Sequence, residues 1–304
     1  MVQTGLASRL ALILRASSND EPNDVAPEII FALMSLTFLG VSDFLYRWGQ
    51  RWELRGGPFM LFQNLAYLPT AFALTYYRDE LIWSLPLLFG LLNGLLAFTG
   101  FLFVLMAFRR GEAVALAPVI RLNFAVTAAL TVTLLGEETN LLKGTALLMA
   151  ALAVMAVGGG TRRGSTDPPS FWLAVAAMTI FGFMGLFYKL AINQGAAPAA
   201  MTLMQSVGVF CVAVPFAIQQ RQPLPRAGVP LWLPFVCGVL TACSYVALAV
   251  AMKHGEAVVV APIAQLSFVL TGVLAIVLLK ERLTARKAVG VGFAILAVLL
   301  FAAA

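Results

Sequence analysis

Displaced by 144 positions, the sequence lies on itself. Residues 109–130 read RRGEAVALAPVIRLNFAVTAAL, and residues 253–274 read KHGEAVVVAPIAQLSFVLTGVL. Between Ala107 and Lys143 the shift gives 15 identities in 37 positions, more than shared hydrophobicity brings, which marks an internal repeat. The same shift carries Pro86-Leu87 onto Pro230-Leu231, Gly94 onto Gly238, Ala117-Pro118 onto Ala261-Pro262 and Glu137 onto Glu281. A shift of 142 aligns the start of each copy: Gly40 with Gly182, Tyr46-Arg47 with Tyr188-Lys189, and Gln63 with Gln205.

The repeated unit is almost wholly apolar. The 304 residues are 61% hydrophobic and 11% charged, where soluble domains carry about 25% charged residues. Roughly 20 apolar residues cross the ~30 Å hydrocarbon core of a bilayer. Ten such stretches are expected near 28–48, 57–77, 82–108, 113–135, 141–158, 170–191, 199–219, 230–252, 257–279 and 286–303. The most polar connection, residues 158–169, divides them five and five. The expected organisation is a polar N-terminal tail (1–26), a first five-helix repeat (27–160), a linker (161–169) and a second repeat (170–304). Because five is odd, the second copy enters the membrane from the opposite side. The fold class is therefore an all-α membrane protein, ten transmembrane helices arranged as two inverted five-helix repeats. That plan is typical of secondary transporters, whose site lies near the midplane between the halves.

Several function classes find no support. The pI near 9.5 comes from Lys and Arg in short turns, where they set orientation and meet lipid headgroups, so nucleic acid is not an expected partner. Cys211, Cys237 and Cys243 all lie in apolar stretches without metal-ligand spacing. The sole histidine, His254, falls in a turn, and no acid pair, Ser/His set or phosphate-binding glycine loop occurs. No catalytic residue, metal or cofactor is expected. In the tail, Leu6, Leu10, Ile13 and Leu14 share a helical face beside Arg9 and Arg15, which suits an interfacial helix; a disordered tail is the other reading.

The paired GEA-x-x-x-AP segments, the glutamates ending LLGE and LLKE, and the five-plus-five plan resemble the EamA transporters, the ten-helix branch of the drug/metabolite transporter superfamily. The resemblance covers residues 28–303 and implies a multi-pass carrier of small metabolites, with export the usual direction and the cytoplasmic (inner) membrane the expected location. Relatives often carry Trp-Gly in the first span of a half; here the positions are Leu39-Gly40 and Phe181-Gly182.

Arg121 is the most telling residue. An arginine at a span centre costs about 2.5 to 3.5 kcal/mol on insertion scales and does not deprotonate. Either it faces a wet cavity, where its planar fork grips a carboxylate or phosphate, or it is a buried lock paired to a carboxylate of another span. Its twin is Gln265, so the two halves offer unlike groups to an asymmetric solute. Asn123 and Ser267, two residues on, should face away by about 200°. Asp43 is the one carboxylate inside a span; it pairs with Arg47 at i+4, takes up a coupling proton, or counterbalances Arg121. Lys189 has Gly185 at i−4 and so no helix-internal partner, making it a second anion ligand or a snorkelling residue. Tyr188, Gln63, Gln205, Asn93 and Tyr245 complete the candidate substrate-binding set, with Phe101, Asn64, Ser244 and Trp48 beside them. Pro118 and Pro262 should open the carbonyls at Val114 and Val258. Glu112, Glu137, Glu256 and Glu281 read as turn-defining groups at helix ends. Gly90-x-x-x-Gly94 allows close helix contact inside the bundle or between protomers.

The expectation is a secondary active transporter, a probable exporter, of amino-acid-like or other carboxylate-bearing solutes, working by alternating access. Flipping of a lipid-linked substrate is the alternative. Expected partners are the solute, membrane lipids and a coupling proton, in a monomer or homodimer. Connections on one side carry thirteen Lys and Arg against six on the other, which places both termini outside the cytoplasm; the resemblance implies both inside.

Overall fold

The computed structural model describes residues 26–49, 56–110, 113–158, 168–220, 230, 232–280 and 284–304. The tail helix, Glu112, Glu281 and the Arg47 side chain lie outside these residues. Among the described residues twelve α-helices follow one another: α1 (Pro27–Gly49), α2 (Gly56–Tyr77), α3 (Leu88–Arg110, preceded by a 3-10 turn at Leu85–Leu87), α4 (Ala113–Arg121), α5 (Asn123–Leu135) and α6 (Leu141–Gly158). The second series is α7 (Pro168–Asn193), α8 (Pro198–Gln220), α9 (Trp232–His254), α10 (Ala257–Gln265), α11 (Ser267–Leu279) and α12 (Ala285–Ala302). Helices are the form in which a lipid-facing backbone satisfies its own N–H and C=O groups. Two of the ten expected spans are broken, α4/α5 and α10/α11, each by a single residue.

Among the described residues seven helical segments are long and apolar enough to cross a bilayer, and Leu141–Ala156 and Ala288–Ala302 are shorter apolar helices. The 22-residue α2 is about 33 Å long at 1.5 Å per residue. Exposed Trp83, Trp172 and Trp232 stand at helix ends, as interfacial aromatic residues do.

Packing follows the repeat, and the largest interhelical contacts have twins in the other half, although α10 meets α5 without a matching contact of α4 with α11. α1 packs on α9 as α7 packs on α3; α3 meets α8 as α9 meets α2; α11 meets α1 as α5 meets α7. Small residues at equivalent places make these contacts close. A Cβ on Gly94 would lie 2.3 Å from the Gln205 carbonyl oxygen, and one on Gly238 would lie 2.2 Å from that of Gln63. The Gly90/Gly94 motif therefore works inside the bundle, against α8. Thr127 Oγ1 donates to the Gly182 carbonyl at 3.0 Å, and its twin Thr271 Oγ1 donates to Gly40 at 2.9 Å. Even the caps repeat: Gly136 (φ +68°) and Lys280 (φ +54°) end α5 and α11 in the left-handed region.

Among the described residues the core is unevenly distributed. The largest buried cluster joins Ile29, Phe31 and Ala32 of α1 to Tyr188, Ala191 and Ile192 of α7, Val250–Met252 of α9, and Val258–Ala261 and Ile263 of α10. At the other end of α1 only a small cluster forms, around Phe59, Leu233 and Cys237.

Candidate functional site

Two adjoining chambers lie between the two repeats, with volumes of about 300 and 360 Å³. They share a wall of Leu39, Asp43, Tyr46, Phe101, Phe181, Met184 and Tyr245. Beyond that wall the first is lined by the uncharged polar side chains of Ser42, Gln63, Asn64, Gln205, Ser206 and Thr241. The second adds Arg121, with Asn123, Thr127 and Gln265 on its surface.

Arg121 is the last residue of α4, and Gln265 is the last of α10. The helices break immediately after them, at Leu122 (φ −72°, ψ 6°) and Leu266 (φ −70°, ψ 2°). Pro118 and Pro262 lie inside α4 and α10, so the interruption comes one turn later than the prolines suggested. The Leu122 and Leu266 N–H groups donate to the Pro118 and Pro262 carbonyls at 3.2 and 3.1 Å, closing the first half-helix before the second begins. Interrupted spans of this kind are tolerated where the backbone lines a cavity.

The break changes which residues share a face. Arg121 Nη2 meets Asp43 Oδ2 of α1 at 2.5 Å, while Nη1 donates to Gln265 Oε1 and to Ser267 Oγ, both at 3.4 Å. Ser267 thus joins the cluster, although a continuous helix would have turned it away; the 200° reasoning holds only for an unbroken helix. Asn123 also lines the chamber, with Nδ2 donating locally to the Ile120 carbonyl at 3.1 Å. Arg121 and Asp43 each keep 27% of their side chain exposed, so the pair is open to the chamber rather than sealed in the packing.

The structure brings most of the remaining candidates to the chambers. Tyr245 stands in the shared wall, and Gln63 donates from Nε2 to Thr241 Oγ1 at 3.1 Å. Tyr188 lines the second chamber, and its hydroxyl donates to Gln205 Oε1, tying the two chambers together. Asn93 is not brought there: it is fully buried and donates to the Met184 carbonyl at 3.2 Å, between α3 and α7. Ser244 bonds Ser35 at 2.9 Å in the α1/α9 contact, and Trp48 lies near Trp232. Ser42, Tyr67, Thr127, Ser206 and Thr241 were not singled out in the sequence; small hydroxyls in apolar spans look alike whether they face a helix or a cavity.

Lys189 goes to a different place. Buried in the packed end, its ammonium donates to the Met252 and Gly255 carbonyls at 2.8 and 2.6 Å, with Glu137 Oε1 at 3.8 Å. Glu137 in turn accepts the Ala257 and Val258 N–H groups at 2.7 and 2.9 Å, capping α10 across the interface between the halves. Glu256 pairs with Lys143 beside it. Neither chamber is lined by Lys189, and its contacts are those of a lock on the closed end. Glu137 and Glu256 thereby do more than mark turns.

Residues 169–303 match the EamA-like transporter family. No curated protein sequence matches the chain. Among solved structures, one crystal structure superposes with a TM-score of 0.76 at 12% identity, covering 91% of this chain and 98% of the other, a likeness of fold alone.

Proposed function

We propose, on the match of residues 169–303 to the EamA-like transporter family, that the chain is a secondary active transporter exporting small carboxylate-bearing solutes, amino-acid-like ones foremost. The family's members move small solutes across membranes. The finer reading rests on Arg121, a permanent cation in a polar cavity, placed at a helix break and facing the amide of its own repeat twin. Its planar fork suits a carboxylate, and the aromatic wall of Phe101, Phe181 and Tyr245 suits an apolar side chain. Gln63 and Gln205 orient the neutral part of the solute, and Asp43 serves proton coupling. The division into residues 27–160 and 170–304 supplies the two inverted halves that rock about this site, with one end closed by the Lys189 lock. We place the protein in the cytoplasmic (inner) membrane.

A thermal-shift screen of purified protein against metabolites tests the reading, run in parallel on Arg121→Gln. A carboxylate should raise the melting temperature of wild type and leave the variant unmoved, since a ligand at 100 times its Kd stabilises by about 2.7 kcal/mol. Equal stabilisation of both proteins, or transport of the same solute by the variant, rejects Arg121 as the anion site.

A further inference from the structure

Asp43 meets Arg121 through one oxygen and one nitrogen, Oδ2 to Nη2, and it is anchored to a different helix. A carboxylate free to rotate in the second chamber makes the two-point contact that a guanidinium offers. Such a solute therefore competes with Asp43 for the same cation. The pair as it stands is neutral. Exchanging Asp43 for a solute carboxylate leaves two anions around one guanidinium, a net charge in a cavity surrounded by hydrocarbon, which the surroundings oppose.

Among the described side chains nothing else in the chambers supplies the missing positive charge; that of Arg47, one turn along α1 from Asp43, lies outside them. The other titratable groups near Asp43 are the phenols of Tyr46 on α1, Tyr67 on α2, Tyr188 on α7 and Tyr245 on α9, and the Cys237 thiol on α9. From α4, α10 and α11 it faces Arg121, Gln265 and Ser267, and α3 and α8 contribute uncharged side chains. Among the described residues no second carboxylate, lysine or histidine lines either chamber.

We propose that Asp43 is an internal stand-in for the solute carboxylate and, once displaced, a cation site, so that every carboxylate bound brings one positive charge with it. A simple monocarboxylate brings a proton, which bonds to the freed Asp43 oxygen. A zwitterion brings its own ammonium, which takes the place of that proton beside Asp43. The proton coupling given to Asp43 above then operates for solutes without an ammonium, and in a zwitterion the solute's own ammonium replaces the proton, from one site and one displaced side chain. This rests on the carboxylate reading of Arg121 given above.

Matched probes separate the two cases: 3-phenylpropionate against L-phenylalanine, and 4-methylvalerate against L-leucine. Each pair differs only in the α-ammonium. Proton uptake on binding to purified wild-type protein is followed with a pH indicator in weak buffer, alongside affinity between pH 6 and 8. The expected result is about one proton per site for the anions and none for the zwitterions. Anion affinity should fall about tenfold per pH unit while zwitterion affinity stays flat. In Asp43→Asn, anion binding should lose both proton uptake and pH dependence. The wild-type contrast stands without that variant should it fail to fold. Equal uptake by anion and zwitterion, no uptake by either, or uptake that persists in Asp43→Asn overturns the proposal while leaving Arg121 as the anion site. Failure of wild type to bind any of the four carboxylates at millimolar concentration overturns that reading too.

Discussion

Replacing Lys189 by methionine distinguishes a lock from a ligand. The side chains of Lys189 and Glu137 are 10% and 6% exposed, and the ammonium also satisfies two backbone carbonyls. Removing one partner of a buried pair costs about 3 to 5 kcal/mol, because the remaining charge is left uncompensated. Glu137 retains the Ala257 and Val258 N–H groups and the positive end of α10, which holds the expected loss near 3 kcal/mol. At roughly 2 °C per kcal/mol for a chain of this size, melting should fall by about 6 °C. The assay is thermal unfolding of ligand-free protein in one detergent, with ligand affinity measured on the fraction that remains folded. Adding Glu137→Gln removes the stranded charge, so the double variant should be less destabilised than the sum of the singles by about 0.5 to 3 kcal/mol. A methionine variant that melts like wild type and no longer binds any carboxylate would refute the lock and return Lys189 to the cavity.

Two other expectations concern packing and orientation. Gly238→Ala and Gly94→Ala set a Cβ 2.2 and 2.3 Å from backbone oxygens of Gln63 and Gln205, so each should cost about 1 to 3 kcal/mol and shift a chamber glutamine. Gly144→Ala on α6, with nothing within 4 Å, should stabilise instead by about 0.5 to 1 kcal/mol; equal effects at all three sites would refute the close-contact reading. The thirteen-to-six distribution of Lys and Arg puts both termini outside the cytoplasm, and a C-terminal reporter that folds only in the cytoplasm should stay dark. A bright reporter overturns the charge argument in favour of the family's usual orientation.

How much of this was legible beforehand follows from what each signal depends on. Span positions come from continuous apolar length, which lipid imposes directly, and most helices start and stop within two residues of the expected ranges; the exception is α3, expected from 82, which begins at Leu88 after the 3-10 turn at Leu85–Leu87. The repeat is legible because twin residues make twin contacts, and the glycines at 94 and 238 are small for one shared reason. Arg121 stands out because a charge in hydrocarbon needs a partner or water wherever it points. Its cluster could not be completed from spacing. Ser267 reaches the arginine because one residue, Leu266, leaves the helix and resets the face of everything after it. Lys189 shows the opposite failure: chemically it resembles Arg121, yet the bundle carries it to the packed end, where two carbonyls and Glu137 hold it. Sequence determined which groups are too costly to leave in lipid and how many times the chain crosses it. Only the tertiary structure decided which of those groups share a cavity and which lock an end, because that depends on where helix breaks and interhelical contacts aim side chains far apart in the chain.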